Sequence, residues 1–286
     1  MKRLFVIVGL VAVLTLGAWL LLSGGGRPGD ERAVDSLRTL PYVTWTEVSE
    51  EDLLKNGVVT WDQERASEGV NLFSVDSAPG ALLLDMAGNR ILELEDRRDE
   101  PGNWKLIEPA GPDTFTVLDT DGVIFGLDAR SRISWTREGE FFHHDFHVDE
   151  EDNVWAIERI VMKVPAIANV RKVWNDHIVK LSPEGERLLV MASSDLILTD
   201  PVVEEIQQNQ ELPPLDLEVD AFHTNTIWTF AEDVVRDGET VFHAGHVMVC
   251  WRNMDTIAVI DPETETVVWH WGAGELDRPH HPTLLD

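Results

Sequence analysis

Short apolar runs alternate with turn signals along most of the chain. ALLLDM (81–86) is followed by AGN and RILELE (90–95), TFTVLD (114–119) by TDG and VIFGLD (123–128), and HVMVCW (246–251) by RNMD and TIAVID (256–261). Runs of this length, rich in Val, Ile, Leu and Trp and bounded by Gly, Asn or Asp, predict short antiparallel strands joined by tight turns. Two stretches depart from the rhythm. DPVVEEIQQNQ (200–210) predicts a short helix in an insertion, with Asp200 as its cap and Pro201 in its first turn. LFVIVGLVAVLTLGAWLLL (4–22) is nineteen uncharged residues, about 28 Å as a helix, and predicts a membrane span.

The flanks orient that span. Lys2 and Arg3 belong on the cytoplasmic side, which places everything after Leu22 outside, in the periplasm or at the cell surface. No A-x-A-like cleavage signal follows, so residues 1–22 are expected to stay as a signal anchor. Residues 23–41, glycine-rich and then charged, read as a tether. The remaining 42–286 form the β domain.

Two segments of that domain repeat each other. VIFGLDARSRISWTREGEFFHHDF from Val123 and TIAVIDPETETVVWHWGAGELDRPHHPTL from Thr256 share one order: a strand ending in Asp, a turn, a strand ending in Trp, a glycine-containing linker and a His-His pair. Trp135 and Trp269 lie 134 positions apart, about three units of the 40 to 45 residues usual for a four-stranded propeller blade. The expected fold is therefore all-β, a β-propeller, with most of the eleven tryptophans packed between blades. The chain ends at HHPTLLD, inside what this scheme makes a strand pair, so the propeller is expected to be incomplete at its C-terminus.

Composition narrows the function. A net charge of -29, from 52 acidic against 23 basic residues, opposes nucleic-acid binding, which needs basic surface to displace phosphate counterions. The same charge implies self-repulsion that salt would screen, and points to a saline habitat. Cys250 is the single cysteine, which excludes an internal disulfide and a cysteine-type zinc site. Nothing in the pattern opposes a homo-oligomer.

Reactive side chains gather in four places: His143, His144, Asp145 and His147 in FFHHDFHV; His223 and Asn225 in DAFHTNTIW; Arg252 in VCWRNMD; and His280 and His281 before Pro282. Strict strand alternation would point His143, Asp145 and His147 one way and His144 the other. A helical reading would instead make His143 and His147 a face-sharing pair able to hold a metal. His243 and His246 read as turn or surface residues, and His177 and His270 as structural strand residues. Asp145 reads equally as an orienting group or a turn closer. Cys250 would share a strand face with Arg252, as a buried small residue or a pocket wall.

In this order the motifs resemble the bacterial arylsulfotransferase family, from about Val43 to the last residue. The resemblance implies a six-bladed propeller that moves a sulfuryl group from an aryl sulfate ester to a phenolic acceptor, without the nucleotide donor PAPS and with no cofactor or metal. It implies that His280 attacks the ester and becomes sulfated. It matches the family's H-x-N histidine to His223 with Asn225, its arginine to Arg252, and its earlier histidine to His143 or His144. His281, with Pro282, stands where the family often has an Asp-Pro or similar pair, and Asn225 and His281 are expected to bind substrate. These residue types suit the chemistry, because sulfuryl transfer builds charge on three equatorial oxygens while attacking and leaving atoms stay in line. Arg252 would match those oxygens with a planar charged fork, and neutral imidazole is a competent nucleophile near pH 7. A local basic funnel is expected within the acidic surface. The alternatives are a non-catalytic extracytoplasmic propeller that binds a ligand or protein partner, and a metal-dependent hydrolase.

Overall fold

A computed structural model describes residues 57–75, 77–138, 141–164, 172–197, 218–272 and 274–285. The expected anchor, the tether and the helix at 200–210 lie outside the described residues. Contacts divide the chain into two units, Met1–Val59 and Thr60–Asp286, and every strand described belongs to the second.

That unit is built from small antiparallel sheets in chain order. The first holds β1 (Val70–Ser74), β2 (Gly80–Asp85) and β3 (Arg90–Glu95). The second is a four-stranded meander of β4 (Trp104–Pro109), β5 (Thr114–Asp119), β6 (Ile124–Asp128) and β7 (Ile133–Arg137). The third runs β8 (Phe142–Val148), β9 (Val154–Met162), β10 (Val173–Leu181) and β11 (Arg187–Ala192). It is followed by a one-turn helix α1 (Ser193–Ile197) and by β12 (Val219–Asp220), which pairs parallel to β10. The fourth takes β13 (Thr224–Thr229), then, after a separate hairpin of β14 (Val234–Arg236) and β15 (Glu239–Phe242), β16 (Val247–Trp251), β17 (Thr256–Asp261) and β18 (Thr266–Trp271). The strand pairs expected from the apolar runs are β2–β3, β5–β6 and β16–β17. Each sheet is open; none closes on itself among the described residues.

Many of the acidic residues are turn formers. Asp119, Asp128 and Asp149 each end a strand or follow its last residue, and one carboxylate oxygen accepts backbone N–H bonds from residues two and four further on. Such side-chain-closed turns explain why the repeated strands end in Asp. Arg98 binds Asp96 and Asp119 at 2.6 and 2.7 Å between the first two sheets, with its guanidinium over the Phe125 ring.

The first strands of successive sheets pack side by side: β1 on β4, β4 on β8, and β8 on β13. The segment after β18 continues the series, since Asn225 Nδ2 and Cys250 Sγ–H donate to the Pro279 carbonyl and the His281 N–H donates to Thr226 Oγ1. The two His-His pairs thus follow equivalent strands, β7 and β18, as their sequence repeat implied. Tryptophan burial is less uniform than expected. Trp104, Trp155 and Trp251 are buried, whereas Trp61, Trp269 and Trp271 are 38 to 44% exposed, the last two on the edge strand β18.

Candidate functional site

FFHHDFHV forms a strand, and the strand is irregular. Four steps of β8, from Phe142 to Phe146, span only two of β9, from Glu158 to Ala156. Phe142 and Phe146 both stay in the core, and the extra residues are absorbed where His144 takes φ +61°. The alternation expected for this stretch is therefore broken. Instead of pointing apart, His143 and His144 meet, Nδ1 to Nδ1, at 2.7 Å.

His143 is the inner member of the pair, 5% exposed, with its Nε2 3.0 Å from Asp176 Oδ1. Asp176 is fully buried on β10, and its other oxygen accepts the Thr224 N–H of β13 at 2.7 Å. Burial alone would raise the Asp176 carboxyl, but bonds from His143 and Thr224 and the nearby Arg159 hold it below the ordinary carboxylate range. His144 is half-buried and lies edge-on to His223, ring centres 4.7 Å apart. Burial first, then the neighbouring His143, His223, Lys105 and Arg159, push His144 down to about 3, so it is neutral.

His223 sits just before β13 with φ +48°, and its Nδ1 is 2.5 Å from Asp220 Oδ2. The Asp220 carbonyl accepts from Asn253 Nδ2, and the His223 carbonyl accepts the Arg252 N–H at 3.4 Å, tying this loop to the turn that carries Arg252. That turn starts directly after β16, so Arg252 and Cys250 do not share an extended strand as expected. Arg252 Nη1 donates to Asn253 Oδ1. Cys250 is fully buried, and burial pushes its thiol up to about 12, which makes it a wall.

His280 is exposed, with Nδ1 2.8 Å from the Arg278 carbonyl. A carbonyl only accepts, so Nδ1 carries the proton and neutral His280 keeps its lone pair on Nε2. His281, also exposed and at φ +47°, borders a cavity of about 350 Å³ lined in part by Glu108, Asp145, His147 and Trp228. In it, burial raises Asp145 to about 6 and Glu108 to about 7. Asp145 accepts the Ile227 N–H and so links β8 to β13, and His281 lies near enough to act on its carboxyl. His147 lies beside Trp228, its Nδ1 3.7 Å from Glu108. His243 is exposed as expected, but His246 is buried.

The structure therefore brings His143, His144 and His223 into one chain of contacts, joins Arg252 to it through backbone, and lays His280 and His281 along β13 beside Asn225. Left-handed backbone at a non-glycine residue is uncommon and costs about 1–3 kcal/mol. Three of these histidines carry it. Among the described residues, four buried side-chain atoms lack a hydrogen-bond partner, and Arg159 Nε, Asp220 Oδ1 and Thr224 Oγ1 all belong to this cluster. Also among the described residues, no three His, Cys, Asp or Glu side chains are grouped to hold a metal ion.

Asp176, Asp220 and Arg159 were not singled out in the sequence. Asp220 carries a local signal, an acid three residues before His223. Asp176 shows only as an acid inside the apolar run VWNDHIVK, and its pairing with His143 across 33 residues has no local signature.

The sequence pattern of a family described as Arylsulfotransferase (ASST) matches residues 118–277, more than half of the chain, and stops three residues before His280. No curated protein matches. Solved structures similar to the chain include BBS1N in complex with ARL6DN, soaked with lead (12% identity, 71% of this chain and 48% of that one, TM-score 0.40). They also include BamB from Moraxella catarrhalis (13%, 71% and 49%, TM-score 0.34) and the Dos1 propeller (10%, 68% and 44%, TM-score 0.38). The chain spans about half the length of these structures.

Proposed function

The chain belongs to the arylsulfotransferase family, and from that premise we propose that it transfers a sulfuryl group from an aryl sulfate ester to a phenolic acceptor through a sulfated His280, without a nucleotide donor. The observation that carries the reading is that His143, His144 and His223 touch, that Arg252 is bonded to His223 through backbone, and that the segment carrying His280 and His281 lies against β13, although these residues are spread over more than 130 positions. Such convergence is what a six-bladed β-propeller offers at its axis, and we assign the β domain to that architecture, anchored by residues 1–22 and facing away from the cytoplasm.

In the first half-reaction the lone pair on His280 Nε2 forms a bond to sulfur as the ester S–O bond breaks, and the phenol leaves as its anion, which takes a proton from solvent. In the second, the acceptor oxygen bonds to sulfur, the S–N bond breaks, and its electron pair returns to Nε2. Arg252 and the His223 side bind the sulfuryl oxygens, whose charge is spread over three positions in such transfers. Asn225, bonded to the Pro279 carbonyl, holds the segment that carries His280, and His281 borders a cavity next to that segment.

The full chain, purified in detergent, is incubated with a chromogenic aryl sulfate and a phenol acceptor. Phenol release that persists with chelator, a mass gain of one sulfuryl group on a peptide containing His280, and loss of both in His280→Asn are expected. Loss on chelation alone would replace the reading with a metal-dependent hydrolase. No turnover by a folded chain would replace it with a ligand-binding propeller.

A further inference from the structure

We propose that Asp176 is a positioning residue that fixes the protons of His143 and His144 so that His144 presents an unprotonated Nε2 to the site. The use made of that nitrogen rests on the function proposed above; its protonation does not.

Asp176 anchors the arrangement through both carboxylate oxygens. Its Oδ2 is held by the Thr224 N–H at 2.7 Å and its Oδ1 lies 3.0 Å from His143 Nε2. A carboxylate only accepts, so the proton of that contact belongs to His143 Nε2. Arg159 Nε lies 3.8 Å from the same oxygen, so an imidazolium at this 5% exposed position would put a second cation beside one carboxylate, and the relay assigns His143 a single proton. With its proton on Nε2, His143 offers a lone pair at Nδ1. The 2.7 Å contact to His144 Nδ1 holds one proton, and it must come from His144. Neutral His144, protonated on Nδ1, is left with its lone pair on Nε2.

The bulge makes the relay possible. On a regular strand consecutive side chains point to opposite faces; at φ +61° His144 turns back onto His143. Asp176 meanwhile ties the pair to β13, the strand that follows His223. The fixed lone pair suits the acceptor step. As the acceptor O–S bond forms and the S–N bond to His280 breaks, the acceptor O–H becomes strongly acidic. Its proton then passes to His144 Nε2. A weakly basic imidazole suffices there, because the proton moves once the oxygen is already bonded to sulfur.

Asp176→Asn tests the arrangement with a defined reversal. The buried Thr224 N–H still needs an acceptor, so the amide oxygen turns to Thr224 and the amide N–H2 turns to His143 Nε2. His143 then carries its proton on Nδ1 and donates to His144, whose proton moves to Nε2. Long-range proton–nitrogen correlation spectra of the full chain, labelled with 15N-histidine and assigned with His143→Gln and His144→Gln, read these states directly. The expected wild type has His143 protonated on Nε2 and His144 on Nδ1, with both reversed in Asp176→Asn. Acceptor-dependent turnover of the variant should fall about a hundredfold while the initial burst of donor phenol is retained. A wild-type His144 protonated on Nε2, a doubly protonated His143, or tautomers unchanged in Asp176→Asn would overturn the proposal. Should that variant not fold, the wild-type spectrum alone decides. The expected tautomers in a protein that transfers no sulfuryl group would instead refute the proposed function and leave the relay standing.

Discussion

Replacing Arg98 by Met should destabilise the β domain by about 3 kcal/mol at pH 7, at the lower edge of the range for breaking a buried ion pair. The side chains of Asp96 and Asp119 are 0% and 1% exposed, and Arg98 is their shared cation. Removing it strands two carboxylates in a space that cannot hydrate them. The loss stays at the lower edge because each keeps other donors: Asp96 the Arg98 and Gly102 N–H groups and Trp104 Nε1, Asp119 the Asp121 and Val123 N–H groups. Met also preserves most of the stem packed on Phe125. The pH dependence follows from Asp96. Burial would raise its carboxyl, but bonds from Arg98 and Trp104 outweigh that and hold it below 3.8. In the parent, this stability is present above the unfolded value and is lost as pH falls through the lower folded one. In Arg98→Met the depression is gone and the like-charged pair raises one carboxyl, so the variant regains stability as acid protonates it. Urea unfolding of both proteins at pH 7 and pH 4.5 measures the gap, which should narrow in acid. A gap below about 1 kcal/mol at pH 7, or one of equal size at both pH values, would refute the reasoning.

Glu108, raised to about 7 by burial and by Asp145, takes up a proton on folding between its unfolded value and pH 7. Stability should therefore decline as pH rises from 5 to 7.5, and thermal unfolding of Glu108→Gln should show a flatter decline; no change in slope would place its carboxylate in solvent. Trp251→Phe removes the Nε1–H bond to the fully buried Ser193 hydroxyl and should cost about 1–3 kcal/mol in urea unfolding, whereas an unchanged midpoint would mean that Ser193 finds another partner. With a net charge of -29, the unfolding temperature should climb between low and molar salt as self-repulsion is screened; independence of salt would remove the saline-habitat reading.

The strands were legible because their physics is local. Alternation, β-branched residues and an Asp at each turn are properties of neighbouring positions, and β2–β3, β5–β6 and β16–β17 fell where the runs placed them. The repeat of the His-His pairs was legible for the same reason, since both follow a strand–turn–strand unit of one pattern. What the sequence hid depends on a residue's partner. Period-two reasoning separated His143 from His144, and only the strand register against β9 shows that two extra residues bring them together. Most tryptophans were expected to pack between blades, and Trp269 and Trp271 stand exposed because composition does not say which strand is an edge. Asp176 was invisible as a site residue because its meaning comes from His143 and Thr224, 33 and 48 positions away.

The proposed roles of His144 and His280 follow from how each lone pair is held. Both present Nε2, His280 because its Nδ1 faces the Arg278 carbonyl, His144 because its Nδ1 faces His143. A nucleophile must approach sulfur, accept full bonding and leave again, which calls for ordinary basicity and an accessible ring. His280 lies on an exposed segment beyond the last strand. His144 is wedged between two imidazoles, near Lys105 and Arg159, and pushed down to about 3. That environment disfavours a stable N–S bond, because a ring so weakly basic is also a weak nucleophile toward sulfur. It does not oppose brief acceptance of a proton made acidic by bond formation at oxygen. The fold thus separates two chemically identical side chains by burial and neighbours, leaving one accessible at Nε2 and the other enclosed by its partners.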